Sequence, residues 1–116
     1  MKKMLFGSAI ALAFTFLPAQ TYGADMLAGK NGMTLYVFDK DQGGASSCYG
    51  DCAKQWPPYL AKKGEKMMKD WTMVKRKDGK LQWAYDGKPL YFYAGDKKKG
   101  DKAGDSLGGV WHVVAE

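Results

Sequence analysis

The chain matches itself at a fixed offset of 55 residues, and this match limits its fold more than any other feature. Asn31-Gly32 aligns with Asp86-Gly87, Leu35-Tyr36 with Leu90-Tyr91, Phe38 with Tyr93, Asp41 with Asp96 and Trp56 with Trp111. Both copies read [ND]-G-x-x-L-Y-x-[FY]-x-x-D-x14-W, with no gap needed to keep them in step. Self-similarity at a fixed period marks a structure assembled from related units.

The first two dozen residues differ in kind from the rest. Lys2 and Lys3 precede an apolar stretch from Leu5 to Leu17, then Pro18 and a small-residue segment ending in Gly23-Ala24. A basic start, an apolar run of about 13 residues and a small-residue cleavage zone describe a secretory signal peptide, because a bilayer span needs about 20. Residues 1–24 are expected to be removed near positions 23–24, leaving no transmembrane segment in the mature chain. Their end lacks the cysteine on which a bacterial lipid anchor is built.

Residues 25–116 would then form one small domain burying about 60–65% of its unfolded surface. The expected organisation is two repeats, 25–60 and 80–116, with a connector over 61–79. Two of the 18 basic residues and none of the 12 acidic ones fall in the leader, so the mature net charge is 16 minus 12, or +4. Export removes nucleic acid as a partner. The basic balance suits a weak, salt-sensitive contact with an anionic envelope surface.

Short aromatic and β-branched runs alternate with Gly-containing turns, and no long stretch keeps helical apolar spacing. The fold class is all-β: a small antiparallel meander or sandwich-like domain of two pseudo-symmetric hairpin repeats. Asn31-Gly32, Asp78-Gly79 and Asp86-Gly87 separate strand-like runs and predict two-residue hairpin turns with positive φ at both central positions. In each repeat Leu35/Val37 and Leu90/Phe92 share one face, while Tyr36/Phe38 and Tyr91/Tyr93 share the other. One face can pack on its counterpart across the domain, and Trp56 and Trp111 are the natural covers for the other. A short helical turn is expected over Cys52–Trp56, with Asp51 as its N-cap and Pro57-Pro58 ending it.

The Cys48-x3-Cys52 pair is the clearest chemistry. In an exported chain it reads as a structural disulfide, with Gly50 allowing the bend. Its repeat equivalents, Ala103 and Leu107, are apolar, which suits inward-facing positions in both copies. The sharper alternative is a periplasmic redox or copper-handling site: Cys48, Cys52, His112 and a thioether of Met67 or Met68 offer soft ligands for Cu(I). No cofactor is otherwise implied. With one histidine and no nucleophile-base order or paired carboxylates, the chain is expected not to be an enzyme.

Taken in series, Leu35 to Asp41, Cys48 to Ala53 with Trp56-Pro57-Pro58, Gln82-Trp83-Ala84-Tyr85, Gly87-Lys88-Pro89-Leu90-Tyr91 and Gly108 to Val113 resemble a bacterial secreted-repeat family. That family consists of predicted lipoproteins with a Y-x-[FWY]-x-x-D motif. The motif stands here as Tyr36 to Asp41 and Tyr91 to Asp96. The resemblance implies an exported or envelope-located protein of two repeats and carries over no ligand or activity.

Overall fold

The computed structural model describes residues 26–116; the expected signal peptide lies outside them. The described chain is mostly short antiparallel strands with one brief helix. In order, the elements are β1 (Tyr36–Phe38), α1 (Asp51–Gln55), β2 (Leu60–Ala61), β3 (Trp71–Lys75), β4 (Leu81–Tyr85), β5 (Lys88–Pro89), a 3-10 turn (Leu107–Gly109) and β6 (Trp111–Val113). β1 pairs with β6. β4 carries β3 along one edge and shares the other between β2 and β5.

The two halves meet on a local two-fold axis between the repeated tyrosines. Tyr36 N–H donates to Tyr91 C=O at 2.8 Å and Tyr91 N–H returns the bond to Tyr36 C=O at 2.9 Å. Around this pair the halves copy each other. Asp39 N–H donates to Val110 C=O and Ala94 N–H to Gln55 C=O, both at 2.8 Å and both in the 55-residue relation. Backbone bonds from Leu90 to Trp83, Trp83 to Tyr59 and Tyr59 to Leu90 close a three-strand ring. In the first half, bonds from Leu35 to Leu27 and Leu27 to Val114 repeat two of its sides.

The turns show where the offset changes. Asp86 and Gly87 both have positive φ, 52° and 79°, and join Tyr85 to Lys88 in the expected two-residue hairpin. At Asn31-Gly32 and Asp78-Gly79 only the glycine is left-handed. There Gly29 pairs with Met33 and Arg76 with Lys80 across three-residue loops. The Asx side chain bonds the backbone two residues on, Asn31 to Met33 and Asp78 to Lys80, which favours the right-handed conformation at that position. The extra residue in the first loop places Leu27, and not Ala28, in the role that Trp83 has in the second half. The halves therefore run at an offset of 56 before the turn and 55 after it.

Parity sorts the apolar residues into two clusters. Leu27, Leu35, Tyr59, Trp83 and Leu90 form one. Tyr36, Cys48, Trp56, Tyr91 and Trp111 form the other. In the second cluster Trp56 and Trp111 stack at 3.7 Å and 2° on the local axis. Phe38 continues the stack on Trp111 at 4.0 Å, and Tyr93 continues it on Trp56 at 4.4 Å. Tyr36 and Tyr91 meet the two indoles edge-on, each at 5.2 Å. Each such contact is worth about 0.5–1.5 kcal/mol beyond the area it buries.

Two local expectations are corrected. α1 starts at Asp51, with Gly50 in the cap position and no side-chain cap bond, because Gly50 at φ 58° makes the turn into the helix. In the second repeat Ala103 and Leu107 are exposed, not inward-facing. That loop is anchored by Asp96, whose Oδ1 accepts the Ala103 N–H at 2.9 Å, so its backbone rather than its apolar side chains turns inward.

The tyrosine and aspartate of the repeated motif bond across the axis. Tyr36 Oη donates to Asp96 Oδ2 and Tyr91 Oη to Asp41 Oδ2, each at 2.7 Å. Replacing either tyrosine by phenylalanine leaves a carboxylate short of a donor and is expected to cost about 1.5–3 kcal/mol, read as a shift in urea midpoint at constant slope. Both phenols are pushed up from the ordinary value of 10.0, chiefly by burial. Asp96 adds to this at Tyr36, and Asp41 adds to it at Tyr91 against an opposing bond from Ser46. Below this ordinary value both groups are neutral folded and unfolded. Above it the unfolded chain loses two protons that the folded chain keeps, so stability falls as pH rises. Ultraviolet absorbance of phenolate should show two tyrosines ionising only as the fold is lost.

Candidate functional site: an aromatic cleft and a buried guanidinium

The repeated motif residues are committed to the interior. Tyr36, Trp56, Tyr91, Asp96 and Trp111 are buried, and Phe38, Asp41 and Tyr93 are half-buried. Each is held by a motif residue of the other repeat. Phe38 and Asp41 also line a smaller recess beside Gly43 and Lys88.

Cys48 and Cys52 are joined in a disulfide with Cα atoms 5.3 Å apart; Cys48 is fully buried. The copper ligand set is not assembled. His112 Nε2 lies 2.7 Å from Asp39 Oδ2 on the β1–β6 ladder, and Met67 and Met68 project from the connector. Among the described residues no group of three or more His, Cys, Asp or Glu is placed to share a metal ion.

What holds the cysteine loop is a buried cation. Arg76, at the end of β3, is 4% exposed. Its guanidinium donates to Gln82 Oε1 at 2.7 Å, Cys48 C=O at 3.0 Å, Ser46 Oγ at 3.1 Å and Asp78 Oδ2 at 3.3 Å. The Tyr49 ring stacks on it at 4.3 Å. Gln82 in turn donates to Leu90 C=O, and Ser46 Oγ lies 2.6 Å from the Tyr91 hydroxyl. One side chain thus ties the cysteine loop, β4 and the Tyr91–Asp41 bond together. Asp78 sits below its ordinary carboxylate range, first through the Lys80 N–H and then through Arg76. Sequence reading passed over this network. Its signal was Gln82, a polar residue inside the run Leu81 to Tyr85, and its partner Arg76 beside an Asx-Gly turn.

A cleft of about 500 Å3 opens between the first hairpin and the second sheet. Its walls are Tyr59, Trp71 and Trp83, and its rim includes Lys30, Glu65, Lys66 and Met68. Strand pairing builds the wall: Trp71 faces Tyr85 and Met73 faces Trp83 in the β3–β4 register, which brings the two indoles edge to face at 5.9 Å. Tyr59 stands 6.5 Å from Trp71 and 6.4 Å from Trp83. Rings this close touch one another, so they form a continuous apolar wall and not a cage with room for a cation between faces. Lys30 and Glu65 form an ion pair across the mouth, and the Tyr59 hydroxyl accepts the Lys30 N–H at 3.0 Å. The Lys30 bond holds Glu65 below its ordinary range, and the same bond raises Lys30. The volume falls within the range of small-molecule sites.

A family profile described as a secreted repeat of unknown function matches residues 21–59 and again 72–115. The chain belongs to that family. No curated protein and no solved structure matches it. The two matched segments are the two halves related by the tyrosine axis, and the residues left between them carry part of the rim of the cleft. Among the described residues of this secreted repeat, no helix is long and apolar enough to cross a membrane.

Arg76→Ala is expected to cost about 3 kcal/mol or more, because it leaves Gln82 and the Cys48 carbonyl buried without their charged donor. Reducing the disulfide opens a loop of only a few residues and is expected to cost roughly 2 kcal/mol. Chemical denaturation of Arg76→Ala, and of the wild type with and without reductant, gives both values. The arginine should be the larger effect.

Proposed function

We propose that this secreted repeat is a non-enzymatic binding module of the bacterial envelope. In this reading it reaches the periplasm through a signal peptide over residues 1–24, and it takes a small apolar ligand in the cleft of Tyr59, Trp71 and Trp83. The observation that carries the reading is an apolar concavity with one ion pair at its mouth. Trp71 stands half-exposed on its wall beside the core residues Tyr59 and Trp83, whereas the central motif rings Tyr36, Trp56, Tyr91 and Trp111 are enclosed between the repeats. A small domain can ill spare a large apolar side chain from its core, so a half-exposed Trp71 has a cost that ligand burial offsets. Binding needs shape and apolar area, which the cleft has. Catalysis would need a converging acid or base, and the single histidine, His112, is engaged with Asp39 outside the cleft.

Titration with anilinonaphthalene sulfonate, a fluorescent dye with an apolar aromatic body and one sulfonate, tests this; raising the salt concentration separates apolar binding from attraction of the sulfonate to lysine. Saturable binding with quenching of tryptophan emission is expected, weakened about tenfold or more by Trp71→Ala, a change worth at least about 1.4 kcal/mol. Trp71 packs on Tyr59 and Trp83, so circular dichroism must first show that Trp71→Ala is folded under the conditions of the titration. Dye binding unaffected by Trp71→Ala counts against the cleft as the site.

A further inference from the structure

The segment between the repeats combines two features that no interior contact explains. Met67 and Met68, adjacent in sequence, are 55% and 66% exposed, more than any other large apolar side chain described. Lys62, Lys63, Lys66 and Lys69 surround them in the same short segment, all exposed. No ion pair among the described residues engages any of the four. Of the two acidic residues there, Glu65 is already neutralised by Lys30, which leaves only Asp70. The segment is therefore an apolar tip set in largely uncompensated positive charge.

We propose that this connector docks the domain on an anionic bilayer surface, with Met67 and Met68 entering the headgroup region and the lysines resting on the lipid phosphates. The chemistry fits that occupant. Methionine is unbranched and adapts to an irregular apolar medium, and lysine keeps its ammonium in water while its stem lies along apolar surface. A free small anion would use the charge and leave the methionines idle. A second copy of the chain would bring two clusters of like charge together. An anionic membrane satisfies both features, and each lysine near such a surface contributes about a fivefold gain in partitioning.

Met68 and Lys66 also line the cleft, so docking places the cleft mouth at the interface. The docking itself goes beyond the cleft reading and does not depend on it.

Cosedimentation of the mature chain with vesicles tests the proposal. Binding to equimolar phosphatidylglycerol and phosphatidylcholine is expected, with none to phosphatidylcholine alone, and it should weaken as salt is raised. Changing Lys62, Lys63, Lys66 and Lys69 together to glutamine should lower partitioning several-hundred-fold. Met67→Ser with Met68→Ser should lower it about tenfold and leave a residue that salt abolishes. All these positions are exposed, and circular dichroism checks that each variant folds. Dye binding without lipid reads the cleft and vesicle binding without dye reads docking, so failure of the cleft reading and failure of docking are told apart. Equal binding to neutral vesicles, full binding by the lysine variant, no effect of the methionine pair, or a lipid-free dimer broken by Met67→Ser and Met68→Ser would overturn it.

Discussion

Each repeat of this protein supplies the aspartate that the other repeat's tyrosine needs. Tyr36 reaches Asp96 and Tyr91 reaches Asp41 across the local axis, while the two tyrosine backbones exchange their own bonds between them. A carboxylate drawn out of water is costly unless donors meet it, and the phenol donors come from the opposite copy. The motif is therefore a mutual lock: neither half can be completed alone, and slipping one strand by a residue would turn each tyrosine away from its acceptor. The Phe38, Trp111, Trp56, Tyr93 stack adds apolar area on the same axis. In a domain this small, where total stability is on the order of 5–15 kcal/mol, these contacts account for a large part of the margin.

Once the axis is made, the two copies are free to differ at their loops, and they do so where the partners of the tyrosine hydroxyls are supplied. Tyr91 meets the side chain of Ser46, which Arg76 also holds. Tyr36 meets the backbone N–H of Gly104 at 3.2 Å. A side chain at Gly104 would collide with Trp56, its Cβ lying 2.6 Å from the indole, so glycine lets the second loop close over the stack without a disulfide. The first loop reaches the axis through side chains instead and is held by two ties, the cysteine bond and the guanidinium. The same divergence frees the second sheet to carry β3 and, with it, the aromatic wall.

Much of the architecture was legible in residue order. Alternation put Leu35 and Leu90 on one face and Tyr36 and Tyr91 on the other, because strand parity is local geometry and survives any packing. The spacing of Cys48 and Cys52 and the matched Trp56 and Trp111 pointed to the staple and the covers. Turn type was read correctly at Asp86-Gly87 and not at Asn31-Gly32 or Asp78-Gly79. An Asx-Gly pair serves both loop lengths, and what decides between them is how the flanking strands are paired elsewhere. Arg76 escaped because a charged residue beside a turn looks solvated; only the loop that folds back over it makes it a core residue.

Residue order alone was enough to establish that there are two copies, which residues share a face, and which tyrosines, aspartates and tryptophans belong together. These follow from periodicity and offset, both carried along the chain. Folding in three dimensions was needed to show that the tyrosine and aspartate bond between copies and not within one, that a guanidinium lies under the cysteine loop, and that Tyr59, Trp71 and Trp83 converge beside one cleft. Those are relations between segments far apart in the chain, set by which edge of β4 each neighbour takes and by how the connector lies over them, and no local pattern records them.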